Sequence, residues 1–253
     1  MISHIKNIRA PKESTPYVPS QMKSVPANGS TDIVFTGRGG QTFGFDRILP
    51  GGSSLNDITA TARLNDDMIL FEDVKLSVLR HHFGSKSLLA PYIIQQQNDL
   101  IITLNNPTAS EVDIGIQLLG YDAPYLARLI KTYQSKGIDM PKPVFLHATD
   151  EIGANAQSQS VNIRTKAVDL RLVRATIKTD SDEDIVLSVQ VYNESVKNSV
   201  FVQQFNDEYE SNYANVPFII GKAVPFSLLV RNLSGNAHNL SFLGETYVMK
   251  PGE

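Results

Sequence analysis

The 253-residue chain holds few residue types suited to bond-making chemistry. It has no cysteine, which removes thiolate nucleophiles, thiolate metal ligands and disulfides together. Five histidines remain: His4, His81, His82, His147 and His238. A metalloenzyme built on a β-barrel of the cupin kind needs histidines two apart, a carboxylate and one further histidine. His81 and His82 are adjacent, so on a strand they point to opposite faces and cannot hold one ion. They read as ordinary polar or turn residues.

Acidic residues gather at Asp66-Asp67, Glu72-Asp73, Asp180-Ser181-Asp182-Glu183-Asp184 and Asp207-Glu208. A hard cation such as calcium wants several convergent oxygens, but none of these runs has the spacing and central glycine of an EF-hand. Solvated turn charge is the better reading, with calcium between subunits the one cofactor role left open. Gly37-Arg38-Gly39-Gly40 looks superficially like a phosphate loop, yet no Lys-Ser/Thr and no helix follow it, so a β-turn is expected. There is no Gly-x-Ser-x-Gly elbow and no His-Glu-x-x-His helix. Asn28, Asn193, Asn232 and Asn239 stand in Asn-x-Ser sequons, which carry weight only in a secreted chain. No catalytic or metal-ligating residue is assigned, and the chain is expected not to be an enzyme.

The elements around these residues are mostly strands. With 42% hydrophobic and 19% charged residues the chain is an ordinary globular one, long enough for two domains that each bury a core. No apolar run is long enough for a membrane-spanning helix, and Met1 to Ala10 lacks the apolar stretch of a secretory signal, so the chain is expected to stay where it is made. Residues 1–29 contain Pro11, Pro16, Pro19 and Pro26 and are expected to form an extended arm. Lys6, Arg9, Lys12 and Lys23 face only Glu13 there, a local balance of +3 in a chain of net charge −3.

From residue 30 to residue 122, strand-length runs alternate with Gly, Pro and Asn, the spacing of a sandwich or barrel. Ile69 to Leu79 reads as one longer strand with a bulge. A single convincing helix follows in a linker over 123–140, capped by Asp122, admitting Pro124 in its first turn and ended by Gly137. Residues 141–253 return to strands, among them Val168 to Thr176 and Val200 to Phe205.

The halves repeat. Pro91-Tyr92-Ile93-Ile94 matches Pro217-Phe218-Ile219-Ile220, an offset of 126 residues. At that offset Leu100, Ile102 and Leu104 fall on Phe226, Leu228 and Val230, and Asn106 falls on Asn232. Polar turns follow in both halves, then a last alternating strand through Leu119-Gly120 or Leu243-Gly244, the latter with a shift of two. A period this long marks duplication of a whole domain. The expected fold is all-β: two tandem eight-stranded jelly-roll sandwiches joined by a helix-containing linker.

In order of elements and size, residues 30–249 resemble the double jelly-roll major capsid proteins of tailless, membrane-containing icosahedral phages. They resemble particularly the small two-barrel corticovirus type, within the lineage of PRD1 and adenovirus. That resemblance implies homotrimers with a pseudo-hexagonal footprint, assembled in the host cytoplasm into a virion capsid. Its partners would be copies of itself, an internal membrane beneath the basic arm, and penton or minor capsid proteins, with no sequence-specific nucleic acid. Three other roles stay open at this point: another virion component such as a vertex, spike or minor capsid protein, a carbohydrate-binding β-sandwich, and a bicupin-like metalloenzyme. Absence of Trp and 8% aromatics speak against the second.

Overall fold

Apolar residues two apart bury one face of a strand. In the computed structural model, which describes residues 16–65, 68–137, 139–192, 194–209 and 218–249, Leu100, Ile102 and Leu104 are all fully buried along one strand. The strands of the first half are β1 (Pro16–Tyr17), β2 (Ser20–Val25), β3 (Gly29–Thr36), β4 (Phe43–Gly52), β5 (Thr59–Leu64), β6 (Met68–Lys75), β7 (Tyr92–Ile94), β8 (Asp99–Asn106) and β9 (Val112–Tyr121). Those of the second are β10 (Pro143–Ile152), β11 (Gln159–Ile163), β12 (Leu170–Thr179), β13 (Ile185–Val191), β14 (Glu194–Phe201), β15 (Phe218–Ile220), β16 (Phe226–Asn232) and β17 (His238–Val248). Three helices are present among the described residues: α1 (Leu76–Ser85), α2 (Ala123–Ser135) and α3 (Val202–Tyr209).

The sheets run β2-β9-β4-β7 (with β1 also on β9) and β3-β8-β5-β6, then β10-β17-β12-β15 and β11-β16-β13-β14. Counting eight strands per half, both halves read 1-8-3-6 against 2-7-4-5. That is a jelly roll, made twice.

The chain divides into two compact units. One comprises the described residues up to Glu72 together with Lys86–Pro143; the other comprises Asp73–Ser85 together with Val144 onward. The first core is built on Ile33, Phe35, Phe45, Ile48, Ile102 and Ile116. The second is built on Leu172, Ile177, Leu187, Phe226, Leu228 and Phe242.

Backbone geometry repeats more faithfully than sequence. Left-handed residues recur at Asn28 and Asn155, Asn65 and Tyr192, Asp73 and Ser199, and Gln97 and Ala223. The bond from Asn28 N–H to the Thr108 carbonyl (2.9 Å) has its counterpart from Asn155 to Ser234 (2.9 Å). Each half has a bulge in the long pair of its first sheet, between Phe45 and Arg47 and between Leu172 and Arg174. A bulge re-aims a side chain, and in both halves an arginine follows it.

The turn after the seventh strand is the sharpest match. Asn106 is buried; its amide donates to the carbonyls of Val25, Pro26 and Ser110, and its oxygen accepts from Thr108 N–H and Oγ1. Asn232 donates to Gly153 and Asn236 and accepts from Ser234 N–H. Each amide ties the end of one strand to the loop opening the next sheet. The sequon reading of Asn232 is thus physically unattractive, since its amide is consumed inside the fold.

The sequence and the structure part company in several places. β6 stops at Lys75, after Asp73 takes φ 50°, and the chain turns helical where a strand through Leu79 was expected. The stretch expected as a strand over 200–205 is the end of β14 and the start of α3. β2 lies inside the stretch expected as an arm and pairs along β9, with Pro19 before it and Pro26 after it. By contrast α2 keeps its expected ends: Asp122 accepts from Tyr125 N–H at 3.2 Å and Gly137 takes φ 65°.

Edges are handled differently in the two units. β15 reaches only Leu170–Leu172 of β12, leaving Ile177 on an open edge. Asn206 of α3 closes it, accepting from Ile177 N–H (2.9 Å) and donating to its carbonyl (2.7 Å). In the first unit the repeat-equivalent residue is Pro50, which has no N–H to satisfy.

Replacing Asn106 or Asn232 by alanine orphans several buried carbonyl and amide groups. We expect each change to lower unfolding free energy by about 2–3 kcal/mol in urea titrations. A loss below about 0.5 kcal/mol at both sites would mean these turns do not hold the sandwich ends.

Candidate functional site

The residues singled out for chemistry do not converge. His81 lies on α1 on the surface, His147 on β10, and His238 begins β17 with Nε2 2.8 Å from Ser234 Oγ and 3.8 Å from Asp184. His4, Asp66, Asp67, Lys6, Arg9 and Lys12 fall outside the described residues. Lys23 is exposed on β2, opposite Ile114. Among the described residues no three His, Asp or Glu groups are placed to share an ion.

The acidic turn after β12 is satisfied from within. Asp180 accepts from Asn239 N–H and Nδ2 and lies 3.9 Å from Lys75, Asp182 accepts from Thr179, and Asp184 from Ser181. Glu208 on α3 pairs with Lys197. Gly37–Gly40 forms a 3-10 turn closed by Gly40 N–H on the Gly37 carbonyl, and β4 follows instead of a helix.

The structure instead brings together a cluster that no spacing announced. Arg174, just past the bulge of β12, stands directly opposite Glu245 of β17. Its Nε lies 2.8 Å from Glu245 Oε2, and both side chains are fully buried. Tyr247 OH donates to Glu245 Oε1 at 2.6 Å. From α1, His82 brings Nδ1 within 2.9 Å of Thr176 Oγ1 and Nε2 within 4.0 Å of Glu245. His82 is therefore a buried helix residue, against the expectation of a turn or strand histidine. Its neighbour Phe83 meets Phe145 edge-on at 6.0 Å.

Burial pushes the His82 imidazole well below its ordinary value, and the nearby Arg174 and His81 charges add to this. A neutral histidine fits the geometry, because a cation there would sit against the Arg174 guanidinium. A dry arginine–carboxylate pair seldom adds net stability, yet breaking it strands a charge. Sealed from solvent, the cluster offers no approach to a substrate. The signal for it was an arginine and a glutamate inside otherwise apolar strands, but their pairing depends on a register set by the bulge.

The first unit carries a different cluster at its own bulge. Tyr121 OH donates to Asp46 Oδ2 at 3.0 Å and its ring stacks on Tyr125 of α2 at 4.2 Å. Burial raises the Asp46 carboxyl above its usual range despite that hydrogen bond and the neighbouring Arg47. Arg47 Nε donates to Ser87 Oγ at 2.9 Å.

No protein-family model matches the chain, and no curated sequence matches it. Solved structures do. A chain in the atomic structure of Sulfolobus turreted icosahedral virus superposes with a TM-score of 0.53 at 11% identity, over 92% of this chain and 90% of that one. The likeness is one of fold, and it spans both jelly rolls. The major capsid protein P2 of bacteriophage PM2 aligns over 94% of this chain and 99% of its own, at 11% identity and a TM-score of 0.47.

An unfolded imidazole takes up its proton near pH 6.5, whereas folded His82 resists it, so stability is expected to fall as pH drops below 6.5. His82→Gln should flatten that slope by up to about 1.4 kcal/mol per pH unit between about pH 6.5 and 5, read from urea midpoints. An unchanged slope would show that His82 is protonated as easily folded as unfolded.

Proposed function

We propose that the chain is a major capsid protein, assembling as homotrimers into the shell of an icosahedral virion. The observation that carries this reading is the tandem jelly roll itself, aligned almost end to end with a chain of an icosahedral virus. Three chains of two barrels each make six barrels under threefold symmetry, a brick that tiles a hexagonal lattice from one gene product. Open sheet edges supply lateral contacts; β6, at the edge of its sheet, exposes Met68 and Ile69. The chain works by packing, without catalysis, and its buried polar clusters serve the fold.

Under this reading the partners are further copies of the chain, with vertex or minor capsid proteins closing the shell. The basic start, with Lys6, Arg9, Lys12 and Lys23, suits an anionic membrane beneath the capsid. The units of the duplication are taken as β2–β9 and β10–β17, which moves the expected start at residue 30 back to include β2 and keeps 123–140 as the join.

Light scattering followed by negative-stain imaging tests the assembly: a particle near three times 27.9 kDa with a hexagonal outline is expected. A stable monomer or a pentamer would overturn the trimer and favour a vertex role. For the arm, co-sedimentation with anionic phosphatidylserine vesicles at low salt should drop several-fold when Lys6, Arg9 and Lys12 become glutamine. Equal binding by both proteins would remove the membrane from the list of partners.

A further inference from the structure

The two units treat the outer face of their first sheet in opposite ways. In the second unit α1 lies on β12 and β17, and the face there is sealed: Arg174, Thr176, Ser241 and Glu245 are all buried. In the first unit the repeat-equivalent positions are Arg47, Leu49, Gly115 and Leu119, and every one is only half-buried. Gly51 beside Gly115 leaves room, since a Cβ there would meet nothing within 4 Å. Met22, paired with Gly115 on β2, is 75% exposed. The result is a shallow trough, apolar at its rim, with a cation at one end.

Charge says what fits it. In the second unit Arg174 has Glu245 from its own sheet, but the matching position in the first unit is Leu119, without the shift of two expected from sequence, and the nearby Asp46 is engaged by Tyr121. Arg47 feels the adjacent Asp46 carboxylate but has no acid across the strand pair, which leaves room for one from outside. α3 begins 126 residues after α1, at Val202 against Leu76, so the position of His82 is held there by Glu208. α3 is clamped to its own unit by Asn206, and it turns Gln203, Gln204, Asp207 and Glu208 to solvent, Glu208 while also pairing with Lys197 of β14. An acidic helix face and a half-covered trough with an arginine are thus both present on one chain.

We propose that the trough formed by Met22, Arg47, Leu49, Gly51, Gly115 and Gln117 receives the exposed face of α3 from a second copy of this chain, with Glu208 set against Arg47. The contact is head-to-tail, so it repeats from copy to copy and closes when the rotation completes a ring. It rests on the trimer reading above and names the surfaces that make the trimer.

The absence of cysteine makes the test clean. His82 touches Thr176 in the second unit, and the equivalent pair is Glu208 with Leu49. Two full-length chains, one Leu49→Cys and one Glu208→Cys with a distinguishing tag, are mixed and oxidised. A disulfide joining the two tagged species is expected, with neither variant cross-linking alone. Glu208→Arg should raise the trimer dissociation constant at least tenfold while circular dichroism stays as in the wild type. Arg47→Glu combined with Glu208→Arg should restore association. Trimers that form without the cross-link, and in which the thiol of the Leu49→Cys variant reacts with maleimide as fast as in isolated monomer, overturn the proposal but leave the trimer standing. A disulfide closing within the doubly substituted single chain also overturns it. A wild-type chain monomeric at all concentrations removes the trimer and this contact together.

Discussion

A four-stranded jelly-roll sheet has one face covered by its partner sheet and another that needs a cover of its own. It also has two edges whose backbone groups want partners. Much of what distinguishes the two halves of this chain follows from that requirement. In the second unit a helix covers the outer face, and an asparagine side chain stands in for the missing strand at Ile177. In the first unit a proline removes the edge donor that would need a partner, and the face is left half-covered. The same backbone is thereby finished by different means, and the difference makes the halves unequal: one unit complete, one receptive.

Polar residues placed at the bulges make this division specific. Arg47 and Arg174 occupy the same backbone position, but Glu245 and Leu119 stand across from them. One arginine is neutralised inside its own sheet and buried, while the other remains half-buried with a serine as its hydrogen-bond partner. A single change of residue type opposite a shared bend separates an internal anchor from an outward-facing cation.

The duplication was legible because apolar alternation and the Pro-aromatic-Ile-Ile runs survive in both halves, and the Asn106 and Asn232 turns fell at the expected offset. Their burial was not legible, since a polar turn and a buried amide look alike until the loops they tie are known. α1 was hidden by coincidence of periods. Val74, Leu76 and Val78 alternate like a strand, whereas Leu76, Leu79 and Phe83 share a helical face, and only the left-handed Asp73 decides between them. α3 is eight residues long with a polar outer side, too short for its pattern to stand out. The buried charge cluster lay beyond reach for another reason: its members come from three separate segments, and the bulge shifts the pairing that joins two of them.

That α1 counts with the second unit has a bearing on how the polypeptide emerges during synthesis. Residues 76–85 are made well before β17, but the sheet on which α1 lies is finished only when β17 arrives. At about 5–20 residues per second the wait is on the order of ten seconds or more. Throughout it an apolar helix is tethered beside strands that are already able to pair. The nascent chain thus carries a sticky segment whose shelter is completed only with β17, and until then it is open to chaperones or to neighbouring chains on the same message.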